Sequence, residues 1–371
     1  MNLEIRRPVL AAALGRVQRL VGRKTVFPVT RNALLTAMES GLTLQATDLE
    51  TGFLGKYSAE VTATGVAMVP GRALLDIVQS LSGQVVSLQL EKGDLVISAG
   101  AAVFRLPSGD VDDFPSMPEI PEDPGLTLPG ASAARLFDRV ALSANVPPGE
   151  QRVHLRGVLL EAGPMPGHGG MVRLVNTDGN RLAMAEEEIS GPVEPMTAVL
   201  QKLAVPEFAS LVDGAAQARL VVSGVYVFCQ AGPEALVSRT LEGVYPDYRI
   251  VIPPPADGLV VSASALSGAL RRVGLFNARD GRGVTMRLAP GRLELSVANA
   301  QVGDARESVP VEYAGPPVET VLATEYLRDA VAHVADGNMF LQMPGPNAGA
   351  VIRHADPAGY TAVVMPFAVE E

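Results

Sequence analysis

Apolar positions recur along this chain in two periods that alternate in a fixed order. From Pro8 to Val21, the residues Leu10, Leu14, Val17 and Val21 form one stripe at helical spacing, with Arg16 and Arg19 off it and Gly22 closing the element. Alternating stretches follow at Ala33 to Met38 and Leu42 to Thr47, joined by the Glu39-Ser-Gly41 turn, and continue to Val69. Pro70-Gly71-Arg72 opens a second helix with Leu74, Ile77, Val78 and Leu81 inward and Arg72, Asp76 and Gln79 outward. Three more strands reach Leu106, and Asp113-Phe114-Pro115 leads into a proline- and acid-rich linker ending near Pro124.

The same order then returns twice. Pro129-Gly-Ala-Ser132 starts a helix with Leu136 and Val140 on its apolar side. Strands are predicted at Val153 to Glu161 and Val172 to Asn176, a short helix at Pro206 to Val212, and strands at Ala218 to Val222, Val225 to Gln230 and Ala235 to Leu241. Tyr245-Pro246-Asp247-Tyr248 closes this round. The third begins at Ser262, the cap of a helix carrying Leu266, Leu270 and Val273. Strands at Val284 to Leu288 and Leu293 to Val297, a helix at Thr324 to Val334 and strands to Val364 complete it. Three units of roughly 120 residues constitute an internal repeat. Strands that follow one another directly favour antiparallel sheets with helices on one face, an α+β class of three similar domains at 1–125, 126–253 and 254–371.

The clearest unit of the repeat is the hairpin Met171 to Met184, whose turn reads Thr177-Asp178-Gly179-Asn180-Arg181-Leu182. A looser copy lies at Leu42 to Glu50 around Thr47-Asp48, and a worn one at Leu293 to Ala300. Asp48 and Asp178 could be imagined as a catalytic carboxylate pair, but a repeated aspartate in a hairpin turn acts as a side-chain cap for the turn's N–H groups.

Composition changes this picture little. With 47% hydrophobic and 19% charged residues among 371 the chain is globular, and 5% aromatics without tryptophan leave the cores to Val, Leu, Ile and Ala. The single Cys229, inside Val225-Tyr-Val-Phe-Cys229, excludes an intrachain disulfide and reads as a buried thiol in a reduced, cytoplasmic compartment. Arg6-Arg7 mimics a twin-arginine signal, but Arg16 and Arg19 interrupt the apolar stretch behind it. No run approaches the ~18 apolar residues of a membrane span.

Charge changes it more. A net charge of −10 argues against a nucleic-acid partner only if it is evenly spread. The first helix of each round (8–21, 131–144, 264–277) carries Arg16, Arg19, Arg135, Arg139, Arg271 and Arg272 against Asp138 alone. Arg23-Lys24, Arg279 and Arg282 extend the pattern, and the acids cluster at Asp110 to Asp113, Glu119 to Asp123 and Glu186 to Glu188. Solvated helix faces often carry arginine, yet three matching sets point to phosphate contact. Without a helix-turn-helix, zinc spacing or aromatic stacking platform, that contact should be to the backbone and indifferent to sequence. His154, His168, His333 and His354 lack metal spacing, and His168-Gly-Gly170 has no nucleophile elbow to serve. No catalytic residue, metal or cofactor is expected.

Ala46-Thr-Asp-Leu-Glu50, Asp113-Phe-Pro115, Leu155-Arg-Gly-Val-Leu159, Asn176-Thr-Asp-Gly-Asn-Arg-Leu182, Tyr245-Pro-Asp-Tyr-Arg249 and Val364-Met-Pro366, in that order, resemble the bacterial DNA polymerase III β subunit, the sliding clamp. The resemblance runs the full length. It implies a non-catalytic, head-to-tail homodimeric ring with helices on the inner face and antiparallel sheets outside. Such a ring encircles duplex DNA and tethers the replicative polymerase.

By position, the resemblance implies DNA contacts at Lys24, Arg72, Arg152, His154, Lys202 and Arg282. Val153-His154 stands where some relatives carry an aromatic pair. The partner-peptide groove maps onto Leu155, Thr177, Gly179, Arg181, Leu182, Pro246, Val251, Val363, Val364, Met365, Pro366 and Phe367. Apolar walls with an adaptable methionine suit the hydrophobic anchors of short peptides, and Asn180 and the Glu370-Glu371 tail depart from the commoner pattern. Ring joints map onto Phe104, Arg105 and Leu106 facing Leu275, Phe276, Asp304 and Glu307 of a second copy. Implied partners are the DNA polymerase III catalytic subunit, the clamp loader and other replication and repair proteins, in a cytoplasmic, nucleoid-associated setting. A peptide-binding hub that never encircles DNA is the alternative.

Overall fold

The computed structural model describes residues 1–22, 27–142, 150–165, 168–189, 193–254, 258–276, 283–299, 303–334, 337–354 and 359–367. Seven helices lie among them: α1 (Arg7–Val21), α2 (Gly71–Ser80), α3 (Gly130–Arg139), α4 (Val153–Arg156), α5 (Val205–Val212), α6 (Ala263–Val273) and α7 (Thr324–Ala332). The chain divides into two compact units, Met1–Ala134 with Leu203–Leu241, and Arg135–Lys202 with Glu242–Glu371.

The first unit holds a five-stranded sheet in the order Glu60–Ala63, Asn2–Arg6, Val85–Glu91, Asp94–Ala99, Ala102–Pro107. Its eight-stranded sheet runs Leu126–Pro129, Gln217–Ser223, Tyr226–Ala231, Glu234–Arg239, Thr51–Tyr57, Gly41–Thr47, Asn32–Met38, Gly65–Pro70. The second unit repeats the plan. An eight-stranded sheet runs Met196–Gln201, Gly157–Met165, His168–Thr177, Arg181–Ile189, Tyr360–Val364, Ala350–His354, Asn338–Gln342, Leu259–Ser262. A four-stranded one runs Gly303–Pro310, Arg292–Asn299, Val284–Ala289, Val318–Leu322. All pairings are antiparallel, as successive short-looped strands dictate. The class is α+β, as expected.

Each large sheet is built from two runs of strands, 32–70 and 126–239 in the first and 157–201 and 259–364 in the second, that meet at one seam. In the first unit Glu234–Arg239 pairs with Thr51–Tyr57 (Glu234 opposite Gly55, Ser238 opposite Thr51). In the second, Arg181–Ile189 pairs with Tyr360–Val364 (Arg181 opposite Val364, Ala185 opposite Tyr360). In the smaller sheets Ala102–Pro107 is one outermost strand, with Glu60–Ala63 at the other edge, and Gly303–Pro310 is one, with Val318–Leu322 at the other edge.

Helix burial follows the apolar stripes. Leu10, Leu14, Val17 and Val21 of α1 are buried, joined by Ala13 and Leu20, and Gly22 donates to Gln18 O at 2.9 Å. Ser262 caps α6 through Oγ, which accepts from the Ala265 N–H at 3.3 Å, and Leu266, Leu270 and Val273 are buried. On α2 the stripe is rotated from expectation: Leu75 is buried and Ile77 only partly. Cys229 is fully buried among core strands, and burial pushes its thiol up to about 12.

One expected strand start is corrected. Val153–Arg156 is a helical turn, and the strand begins at Gly157. The neighbouring strand ends at Gln201, opposite Gly157, and beyond that pair only the Lys202 N–H reaches across, to Arg156 O at 3.1 Å. The chain curls instead, Leu155 N–H donating to Arg152 O at 3.1 Å.

The repeated turn is the same device twice. Asp48 Oδ1 accepts from the Glu50 and Thr51 N–H groups at 3.1 and 2.7 Å. Asp178 Oδ1 accepts from those of Asn180 and Arg181, both at 3.1 Å. The next residue is left-handed in both, Leu49 at φ +80° and Gly179 at φ +91°. Glycine, which lacks a Cβ, adopts this without crowding, whereas the leucine Cβ is strained there. Both aspartates are therefore turn caps, as expected.

Candidate functional site

Most of the residues implied for a partner groove lie on or beside this second hairpin. Strands His168–Thr177 and Arg181–Ile189 close at the pair Thr177–Leu182, and Tyr360–Val364 lies beside them with Val363 opposite Leu182. The chain end continues past the turn: Met365 N–H donates to Asn180 O at 2.8 Å, Pro366 bridges to Leu322, and Phe367 N–H donates to Val321 O at 2.9 Å. Leu155, Leu182, Val363 and Val364 are buried and form a floor, and Met365 and Phe367 are 40% and 42% exposed. A Cβ on Gly179 would stand 3.8 Å from Leu155 Cδ2, so α4 and the turn are in contact range. At Gly349 a Cβ would come within 2.6 Å of Val363 and 3.1 Å of Met365, which requires glycine under the tail.

Arg181 anchors the turn and is buried, at 6% exposure. Its Nε donates to Asp178 Oδ2 at 2.9 Å, its Nη1 to Asp329 Oδ2 at 2.6 Å, and its guanidinium lies 4.2 Å from the Tyr326 ring centre. Those hydrogen bonds raise its affinity for the proton against the opposing effect of burial. Thr177 Oγ1 donates to Arg181 O at 2.7 Å. Pro246 and Val251, both exposed, sit on the segment before and within the short helical turn Tyr248–Val251. Tyr245 O–H donates to Val175 O at 3.3 Å, and Tyr248 O–H donates to Glu161 at 2.9 Å while accepting from Arg173 at 2.8 Å. These bonds hold the segment to the sheet. Tyr326 and Asp329 were missed by sequence reasoning: Asp329 is 148 positions from Arg181 and no motif links them.

The residues implied for DNA contact are not gathered by any one element. Lys24 and Arg282 lie outside the described residues. Arg72 is exposed on α2 and pairs with Asp76 at 3.0 Å. Arg152 is exposed and held by Glu150 through Nε and Nη2 at 3.0 and 2.8 Å, and these bonds hold the Glu150 carboxyl down at about 2. His154 on α4 stands edge-on to Tyr245, ring centres 6.4 Å apart. Desolvation first, then Arg152, lowers its pKa, so the ring is neutral at pH 7. Lys202 is buried, 4% exposed, with Nζ donating to Thr177 O at 2.7 Å.

The helix arginines are less free than charge segregation suggested. Arg16 pairs with Glu234 at 2.7 Å and donates to Ser210 O at 2.8 Å, and Arg19 lies 3.6 Å from Glu207. Arg135 forks onto Glu187 at 2.9 and 3.1 Å, Arg272 onto Glu307, and Arg139 lies over the Tyr360 ring. Carboxylates on neighbouring strands and on α5, invisible to a count along the helix, damp the local field.

The joint residues fall on the outermost strands of the small sheets and beside them. Phe104, Arg105 and Leu106 lie on Ala102–Pro107, Phe104 at 37% exposure and Arg105 paired with Glu91 at 3.2 Å. Asp304 and Glu307 lie on Gly303–Pro310, and Leu275 and Phe276 on the turn after α6, Leu275 at 75% exposure. Among the described residues no group of three or more His, Cys, Asp or Glu could hold a metal, and no helix is long and apolar enough to cross a membrane.

Residues 1–118 match the family described as DNA polymerase III beta subunit, N-terminal domain, and residues 249–368 its C-terminal domain. The beta sliding clamp of Caulobacter vibrioides is 33% identical over 99% of this chain and 96% of its own length, and that of Pseudomonas aeruginosa 30% over 99% of both. Crystal structures of the Caulobacter crescentus clamp (30% identity) and of the P. aeruginosa clamp bound to griselimycin (28%) each superpose over 100% of both chains, with TM-scores of 0.89 and 0.90. Two repeated sheet seams and relatives matched end to end agree: this chain belongs to the bacterial DNA polymerase III beta subunit family, the beta sliding clamps.

Proposed function

We propose that two copies of this chain close head to tail into a ring around duplex DNA and tether the replicative polymerase there without performing chemistry. One observation carries the reading. Two seams of the same kind already join sheet halves within the chain, and the strands that correspond to their two sides, Ala102–Pro107 and Gly303–Pro310, remain outermost. Antiparallel pairing of one copy's Ala102–Pro107 with the other's Gly303–Pro310 would repeat the seam at two joints and leave neither edge open. Phe104 and Leu106 would then face Leu275 and Phe276, and Arg105 would lie near Asp304 and Glu307.

The groove takes the hydrophobic anchors of partner peptides. Its buried floor and exposed Met365 and Phe367 support this, and so does griselimycin, a peptide-like ligand, on a relative. The polymerase catalytic subunit, the clamp loader and other replication and repair proteins are the proposed occupants, in the cytoplasm at the nucleoid. Arg72, Arg152 and His154, with Lys24 and Arg282, are proposed to touch the backbone. Three domains at 1–125, 126–253 and 254–371 are the proposed repeat. Loaded protein should stay on nicked circular DNA and be lost when that DNA is linearised. Equal loss from both forms would refute encirclement and favour the non-encircling hub.

A further inference from the structure

Lys202 follows the strand Met196–Gln201 and is one of few buried charged side chains. Its backbone N–H donates to Arg156 O at 3.1 Å, at the end of α4, and its Nζ donates to Thr177 O at 2.7 Å, at the base of the hairpin turn. One residue thus ties together the two segments that set the gap between Leu155 and Gly179. A buried ammonium is costly, and a methionine would fill similar space without that cost. What methionine lacks is a charged donor aimed at the Thr177 carbonyl.

We propose that Lys202 is a positioning residue of the partner groove, its ammonium pinning the Thr177 carbonyl so that the turn and Leu155 keep a fixed spacing. The proposal rests on the groove reading above. The charged groups facing Lys202 are Asp178, which favours the ammonium, and Arg181, which opposes it, both on the hairpin. From the α4 side comes His154, which Lys202 and Arg152 both disfavour in its charged form. Burial is the largest influence and brings the ammonium down to about 8.

The test uses full-length protein and Lys202→Met, with griselimycin as the probe. At pH 7 the variant should bind it about tenfold more weakly, and the Asn180 and Arg181 amides should exchange about tenfold faster, as for loss of one charge-assisted bond. Wild-type affinity should fall about threefold between pH 7 and 9.5 as the ammonium titrates, and the variant's profile should be flat. Unaltered exchange and affinity in the variant overturn the proposal. So does a drop of about one in the salt dependence of DNA binding with exchange unaltered, which marks a phosphate contact. If wild type fails to bind griselimycin, the groove reading falls, and the exchange rates alone decide for or against the pin. If the variant does not fold, a flat wild-type pH profile overturns it.

Discussion

Arg181→Met isolates the bracket that holds the groove turn. The guanidinium is 6% exposed and meets two carboxylates and a ring. Its bond to Asp178, whose side chain is 21% exposed, contributes about 2 kcal/mol as a charge-assisted hydrogen bond. Asp329 is 55% exposed, and solvent screening holds that pair to about 0.5 kcal/mol despite its 2.6 Å distance. The Tyr326 face adds about 1 kcal/mol. Relief of guanidinium desolvation offsets about 1.5 kcal/mol of this. The net loss is about 2 kcal/mol, a roughly thirtyfold rise in the population of the opened turn. Amide exchange at Asn180 and Arg181, whose N–H groups both donate to Asp178 Oδ1, reads this directly, and griselimycin affinity measured by calorimetry should fall in parallel. Asp329→Asn should change exchange by less than about threefold. Exchange within twofold of wild type in Arg181→Met, or an equal effect from Asp329→Asn, would refute the bracket.

Other outcomes follow from single features. Leu49→Gly should stabilise its unit by about 0.5 kcal/mol, because relief of a left-handed leucine exceeds the added entropy of the unfolded glycine. Gly179→Ala should destabilise by about 1 kcal/mol, and thermal unfolding compares the two. Cys229 should resist alkylation in native protein at pH 7 and react fully in denaturant, and rapid native labelling would contradict its burial. Phe104→Glu with Leu275→Glu should sediment as a folded monomer, and a persisting dimer would move the joint elsewhere. The lowered pKa of Lys202 means that the folded state holds fewer protons than the unfolded one between about 8 and the ordinary lysine value. Its burial penalty is complete at neutral pH and fades as pH rises through that window. Wild-type stability should therefore gain on Lys202→Met between pH 8 and 10.5, as denaturant titration at several pH values would read.

Local physics was legible in the chain itself. Stripes such as Leu10, Leu14, Val17 and Val21 marked the helices because burial of one face demands 3.6 spacing. Asp48 and Asp178 declared the turns because a carboxylate that caps two N–H groups needs no distant partner. The α+β class followed from the order of those elements. What tertiary structure alone decided were pairings across large sequence separations. It put Asp329 and Tyr326 on Arg181, Lys202 under Thr177, and Glu234, Glu207, Glu187 and Glu307 on the helix arginines. It also curled Val153–Arg156 into a turn where alternation predicted a strand, because ladder partners ended at Gln201. Periodicity reports which face of an element is buried, whereas the identity of the groups met there depends on how distant strands register, and no local pattern encodes that.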